Sequence, residues 1–409
     1  MKEKRIRIVI ASHGIGAGHG VLGDLMFEEL RNAGGFDPVH VREDGGKADV
    51  FYGFLIKHAD FYMKLTHRLG QLPLLDWLSC FQNSALSARA ARVLREYKPD
   101  LVIATRFSQS ISYAAARKEL KAPVVVINAV PDYGPPSRND YPRFHCYRPD
   151  YLMVMERESF DGALRKFRMD AGRVLLLGHD TRKEFRCFRE SGATKRTARE
   201  IFLSTFKETG LLRGFDPLKK TVLIMGGSKA AARTFPVIQG ILRSSSQVLS
   251  RAQYAVACGT DAGFFEKLRS LKNRRKDMEH IFPFPHLSVD KMAGLMAGSD
   301  HSVLGSLAPI TMEELCETRC LPLIIFRHIA HEAPHVRYAQ KEGIGFYEPR
   351  IRACLECLES GLMMSSEARD HFIRKAEDLR NRHRERFRIL PRILKRIHNG
   401  RGRPRAERI

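Results

Sequence analysis

The chain has 409 residues, with 69 Lys and Arg against 46 Asp and Glu, a formal charge of +23, 44% hydrophobic residues and 9% aromatic residues. This composition excludes a disordered chain, and the length exceeds what one core usually organises, so two domains are expected. The charge excess points to an acidic partner such as nucleic acid, anionic lipid or a phosphorylated substrate. No run approaches the roughly 18 apolar residues of a spanning helix.

Residues 1–5 lead straight into a strand, so secretion is not expected, and eight cysteines in such a chain suit the reduced thiols of a cytosol. The first strand, IRIVIAS, runs into SHGIGAGHG, with Gly14, Gly16, Gly18 and Gly20 at alternate positions and His19 at the head of a predicted helix. A P-loop would end in Gly-Lys-Ser/Thr, which is missing here, and a dinucleotide fingerprint would have its third glycine where His19 stands. Gly16 and Gly18 leave room for a ligand, and a neutral imidazole at His19 can take a proton from a hydroxyl.

Residues 51–81 gather Phe54, Phe61, Trp77 and several leucines around Lys57, Lys64 and Arg68. That mixture suits a membrane interface, and it equally suits a helix pair capping a sheet. The runs PDLVIATR, APVVVINAV, PDYLMVM and VLLLGH then recur with helix-length spacers, as the buried strands of a parallel sheet do. Residues 182–220 read as a charged connector with one helix of its own.

The rhythm restarts with TVLIMGGS, QYAVACGT, HIFPFPH, HSVLGS and LPLIIFR. Two doubly wound α/β domains are therefore predicted. Ligands of such sheets bind beyond the carboxyl ends of the strands, and the cleft between two domains is the default site. Gly226, Gly227 and Ser228 form a loop open to phosphate oxygens. Pro309 starts a helix carrying Thr311, Glu313 and Glu314, where a carboxylate suits ribose hydroxyls better than phosphate. His331, Glu332 and His335 follow on the next loop and helix start.

Cys316 and Cys320, with Cys354 and Cys357, have spacings compatible with a thiolate zinc site; small core positions account for them better, and no metal is assigned. From residue 382 onward, eleven Lys and Arg face two Glu. Phe387, Leu390, Leu394 and Ile397 keep a helical spacing, with Pro391 breaking or restarting the helix. Such a tail can bind anionic lipid or nucleic acid, or simply be solvated.

Taken together, IASHGIGAGHG, VVVINAVPDYGPP, YLMVMERESFDGAL, LLLGHDTRKEF, VLIMGGS, HIFPFPHLSVDKMAGLMAGSD, APITMEELCETRCLPLIIF and HEAPHVRYAQKEGIG occur in an order and spacing that resembles the monogalactosyldiacylglycerol synthase and processive diacylglycerol glucosyltransferase family. That family is related to the glycosyltransferase that adds N-acetylglucosamine in peptidoglycan synthesis. The resemblance spans most of residues 5–345. It implies a GT-B fold with residues 1–181 as an acceptor and membrane-facing domain, 182–220 as connector, 221–364 as nucleotide-sugar domain and 365–409 as a helix and basic tail.

The resemblance further implies an inverting transfer of a hexose from a UDP-sugar to a lipid hydroxyl at the inner face of the plasma membrane, without a cofactor. His19 is the implied base and Asp132 the competing one. Gly226, Gly227 and Ser228 would contact the diphosphate, Phe284 the uracil pocket, Glu314 the ribose, and His331 with Glu332 the sugar. Ala308, Ile310, His331, His335 and Arg106 depart from the family pattern, which points to an altered donor or acceptor, or to lost activity. The competing readings are a UDP-sugar epimerase or hydrolase on the same fold, and a nonenzymatic binder of membrane or nucleic acid, although no specific nucleic-acid motif is present.

Overall fold

The computed structural model describes residues 5–13, 17–43, 87–142, 144–205, 212, 214–227 and 231–400. Two compact units emerge, one ending at Asp180 and taking in residues from Arg382 onward, the other holding Thr181–Asn381. Gly16, Ser228 and the residues considered for membrane contact, Phe54, Lys57, Phe61, Lys64, Arg68 and Trp77, lie outside the described residues.

The first unit begins with β1 (Ile6–His13), α1 (Ala17–Ala33) and β2 (Phe36–Glu43). It continues with α2 (Ser87–Tyr97), β3 (Leu101–Ala104), α3 (Phe107–Leu120), β4 (Val125–Val130), β5 (Tyr151–Val154), α4 (Arg157–Phe167) and β6 (Val174–Leu176). All neighbouring strands are parallel, in the order β2-β1-β3-β4-β5-β6. Leu101, Val102, Ile103 and Ala104 are fully buried, because helices cover both faces of a parallel sheet. Val9, Val102 and Val126 on the strands pack with Val93 and Leu94 of α2 and Tyr113 of α3.

The second unit starts with two helices, α5 (Lys183–Glu190) and α6 (Lys195–Ser204). Its sheet contains β7 (Thr221–Met225), β8 (Gln253–Ala257), β9 (Ile281–Phe284), β10 (His301–Leu304), β11 (Leu323–Ile325) and β12 (Gly345–Tyr347). Between them come α7 (Phe235–Arg243), α8 (Gln247–Arg251), α9 (Ala262–Arg274), α10 (Val289–Gly298), α11 (Pro309–Glu317) and α12 (Ala333–Lys341). The strands are again all parallel, in the order β12-β11-β10-β7-β8-β9. After the sheet come α13 (Ile351–Leu362), α14 (Ser366–Phe387) and α15 (Leu390–His398).

Three expectations change. The stretch expected as a connector from residue 182 is part of the second unit, where α5 and α6 both pack on α10. Its cations meet buried acids: Arg199 pairs with Asp300, which Arg369 also reaches at 3.1 Å, and Lys195 donates to the carbonyl oxygens of Ser299 and Thr318. The apolar stripe of the basic tail does not form a free amphipathic surface. Leu390, Leu394 and Ile397 are buried, and α15 packs on α1. Pro391 restarts the helix at the first turn of α15, where its missing N–H costs nothing.

The thiolate zinc reading also falls. Cys354 lies in the apolar core of the second unit, Cys316 and Cys320 are fully buried, and among the described residues no three His, Cys, Asp or Glu side chains are grouped to hold a metal.

His301, at the start of β10, is 2% exposed, and burial pushes its pKa down to about 4, with the Arg369 charge acting in the same direction. A depressed histidine pKa costs nothing above the ordinary value of 6.5 and weakens the folded state as pH falls from 6.5 towards 4. Urea unfolding across that window should show a loss of about 3 kcal/mol from this group. The His301→Gln variant should show a shallower fall; an unchanged slope would assign the acid sensitivity to other groups.

Candidate functional site

In each sheet the chain reverses its direction of strand addition once, and such switch points leave a crevice at the carboxyl ends of the strands. In the first sheet the reversal lies between β1 and β3, and in the second between β7 and β10.

His19 stands in the first turn of α1, directly beyond β1, and its Nδ1 lies 2.6 Å from the carbonyl oxygen of Thr105, directly beyond β3. The ring therefore bridges the two strands that flank the first switch point. A carbonyl oxygen only accepts, so the proton sits on Nδ1, and in the neutral ring Nε2 carries the lone pair. This is the tautomer a general base needs. Gly18 precedes it in the same turn.

Asp132 follows Pro131 at the end of β4 and is half-buried. Its loop is fixed from behind. His179 Nε2 donates to the Pro131 carbonyl at 2.9 Å, and the Tyr133 ring meets His179 edge to face at 5.4 Å and His383 of α14 at 6.1 Å. Gly178 has φ +102°, and a Cβ there would come within 2.5 Å of the His383 carbonyl oxygen, so only glycine lets α14 approach this closely. Arg384, one residue on, pairs with the buried Asp180 at 3.1 Å.

At the second switch point Gly226 and Gly227 follow β7, and Gly305 and Ser306 follow β10. The Gly305 amide donates to the Met225 carbonyl at 2.8 Å. A Cβ on Gly305 would lie 2.8 Å from Thr234 Cγ2 and 3.5 Å from Gly226 Cα, and Gly227 adopts φ +70°. Two glycine loops thus abut, with Gly227 partly exposed at their junction, an arrangement suited to phosphate oxygens. Arg233 brings a cation to the same place, its Nη2 donating to the His328 carbonyl at 3.1 Å.

Glu332, expected at the sugar, is engaged by the protein itself. It is 4% exposed; Oε1 accepts from Ser306 Oγ, and Oε2 accepts from the amides of Leu307 at 3.3 Å and Ile329 at 2.8 Å. The carboxylate ties the loop after β10 to the loop after β11. His335 adds to the brace, its Nδ1 lying 2.8 Å from the Leu307 carbonyl oxygen. His331, the neighbour of Glu332, is half-buried.

α11 begins with Pro309 in its first turn, after Ala308 at φ −88°, a conformation open to any residue, so the loss of glycine there strains nothing. Ile310 is buried, Thr311 is partly exposed, and Glu313 and Glu317 are fully buried. Glu314 is 3% exposed and pairs with Arg182, just ahead of α5, whose Nε lies 2.8 Å and Nη2 2.6 Å from Oε1. Burial pushes the Glu314 carboxyl up to about 7 against the pull of Arg182. Phe284, expected at a uracil pocket, has its ring fully buried and edge to face on Phe202 at 5.4 Å, so the ring serves the core.

The sequence reading did not single out Thr105, Arg182, Gly305, Ser306 or His179. Gly305 and Ser306 carried a signal, a Gly-Ser pair directly after an apolar strand. Arg182 carried none, because its partner lies 132 residues away.

No protein-family model and no curated protein matches the chain. Solved structures do. A glycosyltransferase from Rickettsia africae is similar over 97% of this chain and 100% of its own, with TM-score 0.62 and 12% identity. A UDP-GlcNAc 2-epimerase from Neisseria meningitidis, bound to UDP-GlcNAc, is similar over 96% and 100%, with TM-score 0.57 and 12% identity. MurG from Acinetobacter baumannii is similar over 96% and 99%, with TM-score 0.54 and 12% identity. These likenesses, with the two six-stranded parallel sheets, establish a GT-B fold of two Rossmann-like units.

The brace at Glu332 makes a measurable claim. Glu332→Ala leaves Ser306 and two amides without their acceptor and should cost about 3 kcal/mol in urea unfolding, as loss of a buried charged acceptor does. Glu332→Gln should cost less, and a loss within experimental error for Glu332→Ala would show that the loops are held by other contacts.

Proposed function

We propose that this chain is an inverting glycosyltransferase that moves a hexose from a UDP-sugar to a lipid hydroxyl at a membrane surface. The observation that carries the reading is His19, a histidine whose Nδ1 is fixed on the Thr105 carbonyl at a switch point, in a chain whose other sheet holds abutting glycine loops and a buried carboxylate. GT-B neighbours that are glycosyltransferases support the transferase, and the neighbour bound to UDP-GlcNAc supports the donor class.

In this reading the amides around Gly226 and Gly227, with Ser228 and Arg233, hold the diphosphate, and Glu314 accepts from the ribose. Pro309 and Thr311 open the helix beside it, and His331 faces the sugar. His19 Nε2 removes the proton from the acceptor hydroxyl as its oxygen attacks the anomeric carbon, and the C–O bond to the diphosphate breaks on the opposite face. The departing charge is met by loop amides and a cation, which stabilise it without reorganisation. Asp132 is the alternative base.

The acceptor class rests on the family resemblance, on residues 51–81 with their aromatics and lysines, and on the charge of +23, which favours an anionic leaflet. Among the described residues no helix is long and apolar enough to cross a membrane. A second reading, a UDP-sugar epimerase, has support from the epimerases among the structural neighbours.

Purified protein is given UDP-glucose, UDP-galactose and UDP-N-acetylglucosamine, with and without vesicles containing diacylglycerol, and both released UDP and the identity of the remaining UDP-sugar are measured. UDP release that requires the vesicles supports the transferase; UDP release indifferent to lipid supports a hydrolase, and conversion of the donor to its epimer without UDP release supports the epimerase. His19→Ala should lower transfer by a factor of about 10² to 10⁴ while changing UDP affinity less than about twofold. Equal loss of both would move His19 to the donor site.

A further inference from the structure

The two paired glutamates of α11 are held in different ways. Glu317 uses both oxygens, with Arg189 Nε 2.7 Å from Oε1 and Arg380 Nε 3.1 Å from Oε2. Glu314 is gripped at Oε1 alone, by two nitrogens of one guanidinium, and among the described residues no donor is bonded to Oε2. Glu314 as a residue is 3% exposed, but Oε2 is not one of the fully sealed side-chain atoms, so an opening remains at it. An acceptor in that condition can take a donor, and a neutral hydroxyl is a suitable one, since a carboxylate repels phosphate and carries no proton to offer it.

We propose that Arg182 is a positioning residue for the ribose of a nucleotide: by fixing Glu314 through Oε1 it presents Oε2 to the ribose hydroxyls. The inference rests on the reading of this unit as a uridine-nucleotide site. Arg182 cannot drift easily, because its guanidinium also lies over the Phe185 ring, 5.0 Å from the centroid. Its removal would leave Glu314 free to turn and would remove the charge that keeps it ionised.

The charges around Glu314 set the sign of the pH effect. Burial drives its carboxyl up to about 7, Arg182 pulls it down through charge and hydrogen bond, and Glu184 in the first turn of α5 pushes it up. On α11 itself Glu313 and Glu317 flank it, with Arg189 and Arg380 answering Glu317. α10, which also packs on α11, carries Asp290 and Lys291 near its start. Loss of Arg182 therefore raises the Glu314 pKa further, and the ionised form requires a higher pH.

Calorimetric titration of UDP and 2′-deoxy-UDP across pH tests the proposal, since the ratio of the two affinities cancels the titration of the phosphates. The wild-type chain should prefer UDP by about tenfold, as loss of a hydrogen bond to a charged group implies, and the preference should build as pH rises through about 7. Arg182→Gln should lose the preference at neutral pH and regain it only at higher pH, with Arg182→Lys in between. If Arg182→Gln weakens both nucleotides equally and leaves the ratio and its pH midpoint unchanged, Arg182 is merely structural and the proposal is overturned. A Glu314→Gln variant that keeps the full preference would likewise overturn it, because the ribose would then be read elsewhere; wild-type protein that binds no UDP would instead overturn the nucleotide reading beneath it.

Discussion

Buried carboxylates in the second unit are held by cations that the chain delivers from residues 182–199 and from α14. Asp300 is reached by Arg199 and Arg369, Glu317 by Arg189 and Arg380, and Glu314 by Arg182. A buried carboxylate without a partner costs several kcal/mol, and its removal from water is tolerated only when charge and hydrogen bonds replace the solvent. These pairs therefore fix where α5 and α6 lie, and through them α10 and α11. Because α11 grows out of the loop after β10, the placement of Gly305 and Ser306 depends on the same lattice. Part of the positive surplus of the chain is thus internal, matched to acids rather than offered to a partner.

The two switch points are built by different physics. At the first, a side chain from a helix start reaches across to a backbone carbonyl, and the hydrogen bond sets which imidazole nitrogen carries the proton. At the second, side chains withdraw. Gly226 and Gly305 pack backbone against backbone with Gly227 partly exposed beside them, while Glu332 and His335 tie the adjoining loops from within. A loop held by a buried carboxylate and three donors is pre-organised, which is what a site for a charged leaving group requires. The Asp132 loop shows the same economy, being held by His179 and by rings against α14.

Much of this was legible in the sequence, and the reasons are physical. Ten strands announce themselves because a parallel sheet buries both faces and so demands continuous apolar runs. β12 is three residues long and partly exposed, too little apolar character to be seen, and β2 hides behind Pro38 and its charges at a sheet edge. The helical spacing of Phe387, Leu390, Leu394 and Ile397 was visible, but not that α1 receives it. The charged stretch from 182 read as solvated connector because its partners lie more than 100 residues on, beyond any local pattern. For the same reason Glu332, recognisable as an acid in the right loop, could not be told from a sugar ligand until Ser306 and the amides of Leu307 and Ile329 were seen around it.

The central claim is that the second switch point holds a uridine nucleotide. A crystal structure of the protein with UDP tests it directly. The account predicts the diphosphate against the amides of Gly226 and Gly227 and the ribose hydroxyls within hydrogen-bonding distance of Glu314 Oε2. UDP bound elsewhere, or a Glu314 that stays turned away from the ribose, would contradict it.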